Sequence, residues 1–283
     1  MQLISYNVPD KHKIYFFGDI HRGTLAHNKK AFDDAVDEVK RQENAYMVGI
    51  GDWVEGRPSN HKFFDLDVAD PQLLLPENQY ENVYETIKPI KGKIIAAHEG
   101  NHDFGLSRIY GSKVRTMCKK LEINYATFAS VITLREKNKS NKILYKIYCC
   151  HGAGTIKSSA GDIIRREANM DESLKRKLKN KAADCLAMFM GHTHGLRVVS
   201  PKSRLYIVSD EKKLQSVYSK RHGVSKIIPE DDRWYCNTGS FMKTNLIGVS
   251  TYSEQAMYDP LETGYVVLNG SNGDIDSIEK VVI

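Results

Sequence analysis

Five apolar, β-rich runs in this chain each stop just short of a residue able to bind a metal, and that recurrence limits the possible folds more than any other feature. Ile14 to Phe17 precedes Asp19, Tyr46 to Ile50 precedes Asp52, and Ile94 to Ala97 precedes Asn101. Ile143 to Cys150 precedes His151, and Cys185 to Met190 precedes His192. Runs that are apolar on both faces read as central strands of a sheet covered on each side. Each polar residue then lies on the loop just beyond a strand's C-terminal end, where open α/β sheets bind their ligands.

Between these runs lie helical patterns. The clearest is Lys29 to Gln42, with Phe32, Ala35, Val36 and Val39 on one face. Two more are expected at about Asn78 to Lys88 and at Ser107 to Lys120. After Leu196 the pattern turns to short strands around Leu205 to Val208, Trp234 to Asn237, Tyr265 to Leu268 and Ile278 to Ile283. Two stretches look like additions. Residues 155–182 form a basic helical pattern, with Lys157, Arg165, Arg166, Lys175, Arg176, Lys177, Lys179 and Lys181 against four acids. Residues 210–232 are polar and charged and read as a long loop.

A length of 283 residues allows one large domain or two small ones. Candidate ligands spread from 19 to 192 must meet at one site, so the expectation is a single domain over 1–283 with a basic helical insertion at about 155–182. Residues 1–20 lack the continuous apolar core of a signal peptide, and no run approaches a membrane span. Cys118, Cys149, Cys150, Cys185 and Cys236 are scattered, with none in C-x-x-C spacing; they read as reduced core residues of a cytoplasmic protein. A net charge of +6 attracts phosphate-bearing partners mildly and fits an ordinary basic soluble protein equally well.

The ordered blocks are Asp19-Ile20-His21, Gly51-Asp52, Gly100-Asn101-His102-Asp103, His151-Gly152 and Gly191-His192-Thr193-His194. They contain four His, two Asp and one Asn as candidate ligands, a mixed nitrogen and oxygen set suited to two divalent transition metals. Alone, each His reads as a loop histidine; the ordered set reads as a metal centre. On an extended segment His192 and His194 face the same way.

This set resembles the calcineurin-like metallophosphoesterases, whose pattern is D-x-H, G-D-x-x-D/E, G-N-H-D/E, H and G-H-x-H. The likeness runs from residue 14 to about 240, since Asn237-Thr238-Gly239-Ser240 looks like the family's Asn-Pro-Gly-Ser turn. The spacing from His151 to Gly191 and the tail Gly239 to Thr244 look like stand-alone members from phages and prophages. The resemblance implies a four-layer α/β/β/α sandwich, the metallo-dependent phosphatase fold. It assigns Asp19, His21 and His194 to one metal, Asn101, His151 and His192 to the other, and Asp52 to both. It also implies attack on phosphorus by hydroxide held between the metals. Mn²⁺ or Fe suits the set best, and Zn²⁺, Ni²⁺ or Co²⁺ can substitute.

His102 falls on the substrate side of the family pattern, where it stabilises or protonates the leaving oxygen. Asp103 either orients that imidazole or caps a helix. Arg22 either reaches a phosphate oxygen or is a solvated loop residue, and His61 either faces the cleft or does not. Glu55 fits loop support better than metal binding. Trp53 and Phe104 flank metal blocks and could stack on a base, though core packing is the simpler reading for each. Gly51-Asp52-Trp53-Val54-Glu55-Gly56-Arg57 displaces by one position the Arg of phosphoprotein phosphatases, which argues against a protein substrate. Gly-Asn-His-Asp and Gly-His-Thr-His look more like the phosphodiesterase and nuclease branches, with nucleic acid or nucleotides as substrate. A small-molecule phosphomonoesterase and a non-catalytic binding module on the same fold are the alternatives. The basic helix either lines an approach to the metals or is a solvated face.

Overall fold

The computed structural model describes residues 1–61, 64–137, 142–219, 226–255, 257 and 259–283. Alternation along strand β2 (His12–Phe17) divides the core. Ile14 and Phe16 point to one apolar cluster, Tyr15 and Phe17 to another, as the two-residue period of a strand requires.

The first cluster lies between two six-stranded sheets. One sheet has the order β14 (Asp274–Val282), β13 (Gly264–Ser271), β2, β3 (Ala45–Gly49), β4 (Ile94–Ala97), β5 (Asn124–Tyr125). Strands β2 to β5 run parallel, and β13 pairs antiparallel to β2. The other sheet has the order β1 (Gln2–Val8), β6 (Ala129–Glu136), β7 (Ile143–Cys150), β8 (Ala187–Met190), β12 (Trp234–Thr238), β9 (Leu196–Val199). There β7, β8 and β12 are parallel neighbours. Phe16 of β2 stacks on Phe189 of β8 across the gap, with ring centroids 3.6 Å apart and planes 8° from parallel.

Helices cover both outer faces. Phe32, Ala35, Val36 and Val39 of α1 (Lys29–Arg41), with Tyr80 and Val83 of α2 (Pro76–Ile87), pack on the β2 side. Leu174 and Leu178 of α5 (Ile163–Leu178) pack on Tyr148, Met188 and Tyr235 of the other sheet. The result is an α/β/β/α sandwich with the parallel strands of each sheet ending on the same side.

Two expectations are corrected. The helix expected over Ser107 to Lys120 is two helices, α3 (Asn101–Tyr110) and α4 (Lys113–Leu121). Gly111, at φ 73°, stops the first, and the Ser112 hydroxyl accepts from the Arg115 N–H to start the second. The segment expected as a loop over 210–232 contains β11 (Leu214–Tyr218), which pairs with β10 (Leu205–Ser209) in a separate two-stranded sheet. Its residues 220–225 lie outside the described residues. Among the described residues no helix is long and apolar enough to cross a membrane.

The Phe16–Phe189 stack is fully buried at the seam of the sandwich. Phe189→Ala is expected to destabilise the protein by about 3–5 kcal/mol, measured by urea unfolding. A loss under about 1 kcal/mol would show that the seam does not hold the sheets together.

Candidate metal centre

Most of the candidate ligands leave the end of a strand on a turn that normal side chains avoid. Asp19, His21, Asp52, His192 and His194, five of the seven, have φ between 50° and 72°. Such non-glycine conformations cost energy and persist where the surrounding structure imposes them, which is common at functional sites. The neighbouring glycines are steric necessities. A Cβ on Gly100 would come within 2.0 Å of Asp52 Oδ1, and one on Gly191 within 2.6 Å of Asp19 Oδ2.

The structure brings all seven residues together. Asp19, His21 and His194 present donor atoms within 4.8 Å of one another, as do Asp52, His151 and His192. Nε2 of His21 and of His194 are 3.2 Å apart. Asn101 Oδ1 lies 2.9 Å from His151 Nε2 and 2.7 Å from His192 Nδ1. Asp52 Oδ2 sits between the groups, 3.7 Å from His21 Nε2 and 3.3 Å from His151 Nε2. Asp19 Oδ1 is buried with no hydrogen-bond partner, 3.5 Å from His194 Nε2. A buried carboxylate oxygen left unbonded among imidazole nitrogens fits cation ligation, as does the chemistry of the whole donor set.

Hydrogen bonds outside the cluster aim the ligand atoms inward. Nδ1 of His21 donates to Glu55 Oε2 at 3.0 Å, which leaves Nε2 facing the centre. The Ile50 carbonyl accepts from His151 Nδ1 at 3.0 Å with the same effect. Asp52 Oδ1 accepts from the His102 N–H at the start of α3, and Asp19 Oδ2 accepts from the His192 N–H. Glu55 is thus more than loop support, a role that the acidic position of its block only hinted at.

His102 also falls in a donor group, with His21 and Asp52. Its Nδ1 donates to the Glu55 carbonyl at 2.7 Å. Of the two readings of Asp103, beside this imidazole or as a helix cap, the structure bears out the cap. Asp103 accepts from the N–H of Gly100 at 2.9 Å and the hydroxyl of Tyr80 at 2.7 Å. Buried at the base of α3, it caps the helix and ties it to α2.

Arg22 is not a solvated loop residue: it is buried, and its Nε donates to Asn82 Oδ1 at 2.7 Å. His61 is exposed and belongs to none of the three donor groups among the described residues. Trp53 is core, as expected, with its indole N–H donating to the His98 carbonyl. Phe104 departs from the core reading and is 44% exposed, with the Arg108 guanidinium 5.0 Å from its ring centre. Helical spacing puts Asn101, Phe104 and Arg108 on one face of α3. On the same flank, exposed Phe128 meets the His151 ring edge-on at 5.6 Å.

The basic helix does not present its charges as one track. Lys175 pairs with Asp231 at 2.8 Å, Lys179 with Glu230 at 2.9 Å and Arg166 with Asp259 at 3.6 Å. Lys177 instead donates to the Ala153 carbonyl at 2.8 Å, in the loop after His151. Its charge is among those that hold His192 below the ordinary imidazole value, behind burial, the largest cause.

Burial by itself would lower the pKa of His21 and of His151. Glu55 and the two aspartates raise His21 to about 9, and Asp52 and Asp19 raise His151 to about 9. Protons therefore take the place of cations on these nitrogens at neutral pH. A raised pKa favours the protonated form below it, so metal affinity should rise with pH up to about 9, and binding at pH 7 should release protons. Calorimetric titration with Mn²⁺ in two buffers of different ionisation enthalpy measures this release. Equal heats in both buffers would contradict it.

A family model described as calcineurin-like phosphoesterase matches residues 12–228. No curated protein matches the chain. Among solved structures, a conserved protein from Streptococcus pneumoniae TIGR4, described as a predicted phosphoesterase, is similar with 14% identity and a TM-score of 0.32, covering 96% of this chain and 98% of its own. Vps29 from Chaetomium thermophilum is similar with 10% identity and a TM-score of 0.34, covering 95% and 96%. The family match spans most of the chain and includes all five metal blocks; the chain belongs to the calcineurin-like phosphoesterases.

Proposed function

We propose that this protein is a two-metal phosphodiesterase acting on nucleic acid or nucleotides. The observation that carries the reading is the position of Asp52 Oδ2 between His21 and His151, with a further group of donors on either side. Asp19, His21 and His194 would hold one divalent cation, Asn101, His151 and His192 the other, and Asp52 both. The mixed imidazole and oxygen set favours Mn²⁺ or Fe. When bound, such ions supply Lewis acidity toward the phosphoryl group and acidify water at neutral pH.

The chain's own residues do the rest. Glu55 and the Ile50 carbonyl hold His21 and His151 in one tautomer. With its Nδ1–H committed to the Glu55 carbonyl, His102 turns Nε2 toward the leaving oxygen and would donate a proton there from its imidazolium form, which burial and the charge of His21 disfavour and the charges of Asp52 and Glu55 favour. The nucleotide reading is supported by the flank of Asn101 and His151, where Phe104 and Phe128 offer ring faces and edges to a base, and Arg108 and Lys177 offer charge to neighbouring phosphates. The ion pairs of Lys175, Lys179 and Arg166 argue against the whole basic helix as a polynucleotide track. We place the protein, as one domain of the phage and prophage type, in the cytoplasm; its five cysteines are buried and unbridged.

Hydrolysis of bis-p-nitrophenyl phosphate should exceed that of p-nitrophenyl phosphate, stop on chelation and return with Mn²⁺. Full activity in a preparation shown metal-free by elemental analysis would sink the mechanism. Asp52→Asn should lose metal and activity together. His102→Ala should keep both metals and lose roughly 10²- to 10⁴-fold in kcat, with a smaller loss for an aryl leaving group. Loss of metal in His102→Ala would instead make it a ligand.

Substrate class is separated by Phe104→Ala. On the p-nitrophenyl ester of thymidine 5′-phosphate, kcat/KM should fall by roughly 5- to 150-fold, the range of one lost base stack. On methyl p-nitrophenyl phosphate, which has the same leaving group and no base, it should not change. Equal effects on both substrates would discard the base-binding role.

A further inference from the structure

Residues 191–195 carry His192 and His194 and join β8 to β9, and β12 lies between those two strands. The loop therefore crosses the end of β12, where Asn237 is buried. The turn that follows fixes which way the Asn237 amide faces. Its Oδ1 accepts from the Gly239 N–H at 3.3 Å, and its Nδ2 then donates to the hydroxyl oxygen of Thr193, the residue between the two histidines.

His192 and His194 are at φ 72° and 58°, so the segment is not the extended one in which both would face the same way. They diverge instead. His192 Nδ1 lies 2.7 Å from Asn101 Oδ1, on the side of His151, whereas His194 Nε2 lies 3.2 Å from His21 Nε2 in the other donor group. Thr193 is the pivot between them. Left-handed backbone at residues of this bulk costs energy and is held by contacts from outside the segment.

Those contacts reach across the seam between the sheets. The Phe241 N–H donates to the Asp19 carbonyl at 3.1 Å, and the His192 N–H donates to Asp19 Oδ2 at 2.8 Å. Asp19, Phe241, Asn237, Thr193 and His192 thus close a ring that joins the loop after β2 in one sheet to the loop after β8 in the other. The ring is anchored in the core. Phe241 is fully buried against Phe17, Phe32 and Tyr265, and a Cβ on Gly239, at φ 72°, would come within 2.6 Å of the Gly264 carbonyl oxygen.

We propose that Asn237 is a positioning residue for the metal centre: through Thr193 it holds His192 and His194 apart, one on each donor group, and so governs how tightly a second cation binds beside the first. This rests on the two-metal reading above. Groups that orient a metal ligand from outside contribute roughly 10- to 100-fold to metal affinity.

Titration of the metal-free full chain with Mn²⁺, followed by electron paramagnetic resonance, tests this without turnover. The wild type should bind two ions and show the exchange-coupled signal of a neighbouring pair. Thr193→Val keeps the shape of the side chain and removes the acceptor. It should bind the second ion roughly 10- to 100-fold more weakly and lose the coupled signal. Thr193→Ser restores the hydroxyl and should behave as the wild type. Asn237→Ala should show the same loss as Thr193→Val, and the double variant no more than either alone, because both substitutions remove one link. The thermal midpoint of metal-free Thr193→Val should equal that of the wild type. A Thr193→Val protein that binds both ions like the wild type would overturn the proposal, as would losses that add in the double variant or a midpoint that falls together with affinity. A wild type that binds a single ion would overturn the two-metal reading, and this proposal with it.

Discussion

Two carboxylates taken out of water set the terms for this molecule. Asp19 and Asp52 are buried at the ends of parallel strands with their charges close together. Burial pushes Asp19 up, and the charge of Asp52 adds to it; Asp52 itself stays ionised because the charges of His151, His102 and His21 outweigh the cost of its burial. An uncompensated pair of this kind would be destabilising. The ring of imidazoles, the backbone N–H groups of His102 and His192, and the left-handed turns that aim each donor inward all answer to that requirement. So does the unbonded Asp19 Oδ1, which marks a place where protein groups alone do not complete the site.

The scaffold explains why those donors meet at all. Strands β2, β3 and β4 of one sheet and β7, β8 and β12 of the other end on the same side, and the two sheets are locked by the Phe16–Phe189 stack. Ligands separated by more than a hundred residues are therefore delivered to one seam. Gly191 then lets the loop after β8 of one sheet come within contact of Asp19 on the other, and Gly100 lets the loop after β4 close on Asp52, which follows the neighbouring strand β3. The turns are strained, and the packed seam supports that strain.

The two flanks of the centre differ in chemistry. Toward His21 lie Glu55, Arg57 and His102, a charged and hydrogen-bonded side suited to proton handling. Toward His151 lie Phe128, Phe104, Arg108 and Lys177, a side that offers aromatic surface and positive charge. The diester proposed as substrate, with a planar group on one arm and a leaving oxygen on the other, matches that division.

Sequence alone determined the candidate ligands and the strands that carry them, because both are local. An apolar run followed by Asp, Asn or His is legible without knowing what packs on it, and β2, β4 and β7 end where their runs end. The family resemblance then supplied the four-layer arrangement. Tertiary structure decided what depends on residues far apart. Trp53 and Phe104 read alike in sequence, yet one fills the core and the other faces solvent. Asp103 follows His102 directly but is turned by the helix toward Tyr80, while Glu55, from another loop, supplies His21 and His102 with their partners. Lys175 and Lys179 looked like part of a continuous basic face until Asp231 and Glu230 came against them from a distant turn. Burial and charge pairing are properties of the folded surface, and one-dimensional patterns carry them only where the partner is a near neighbour in the chain.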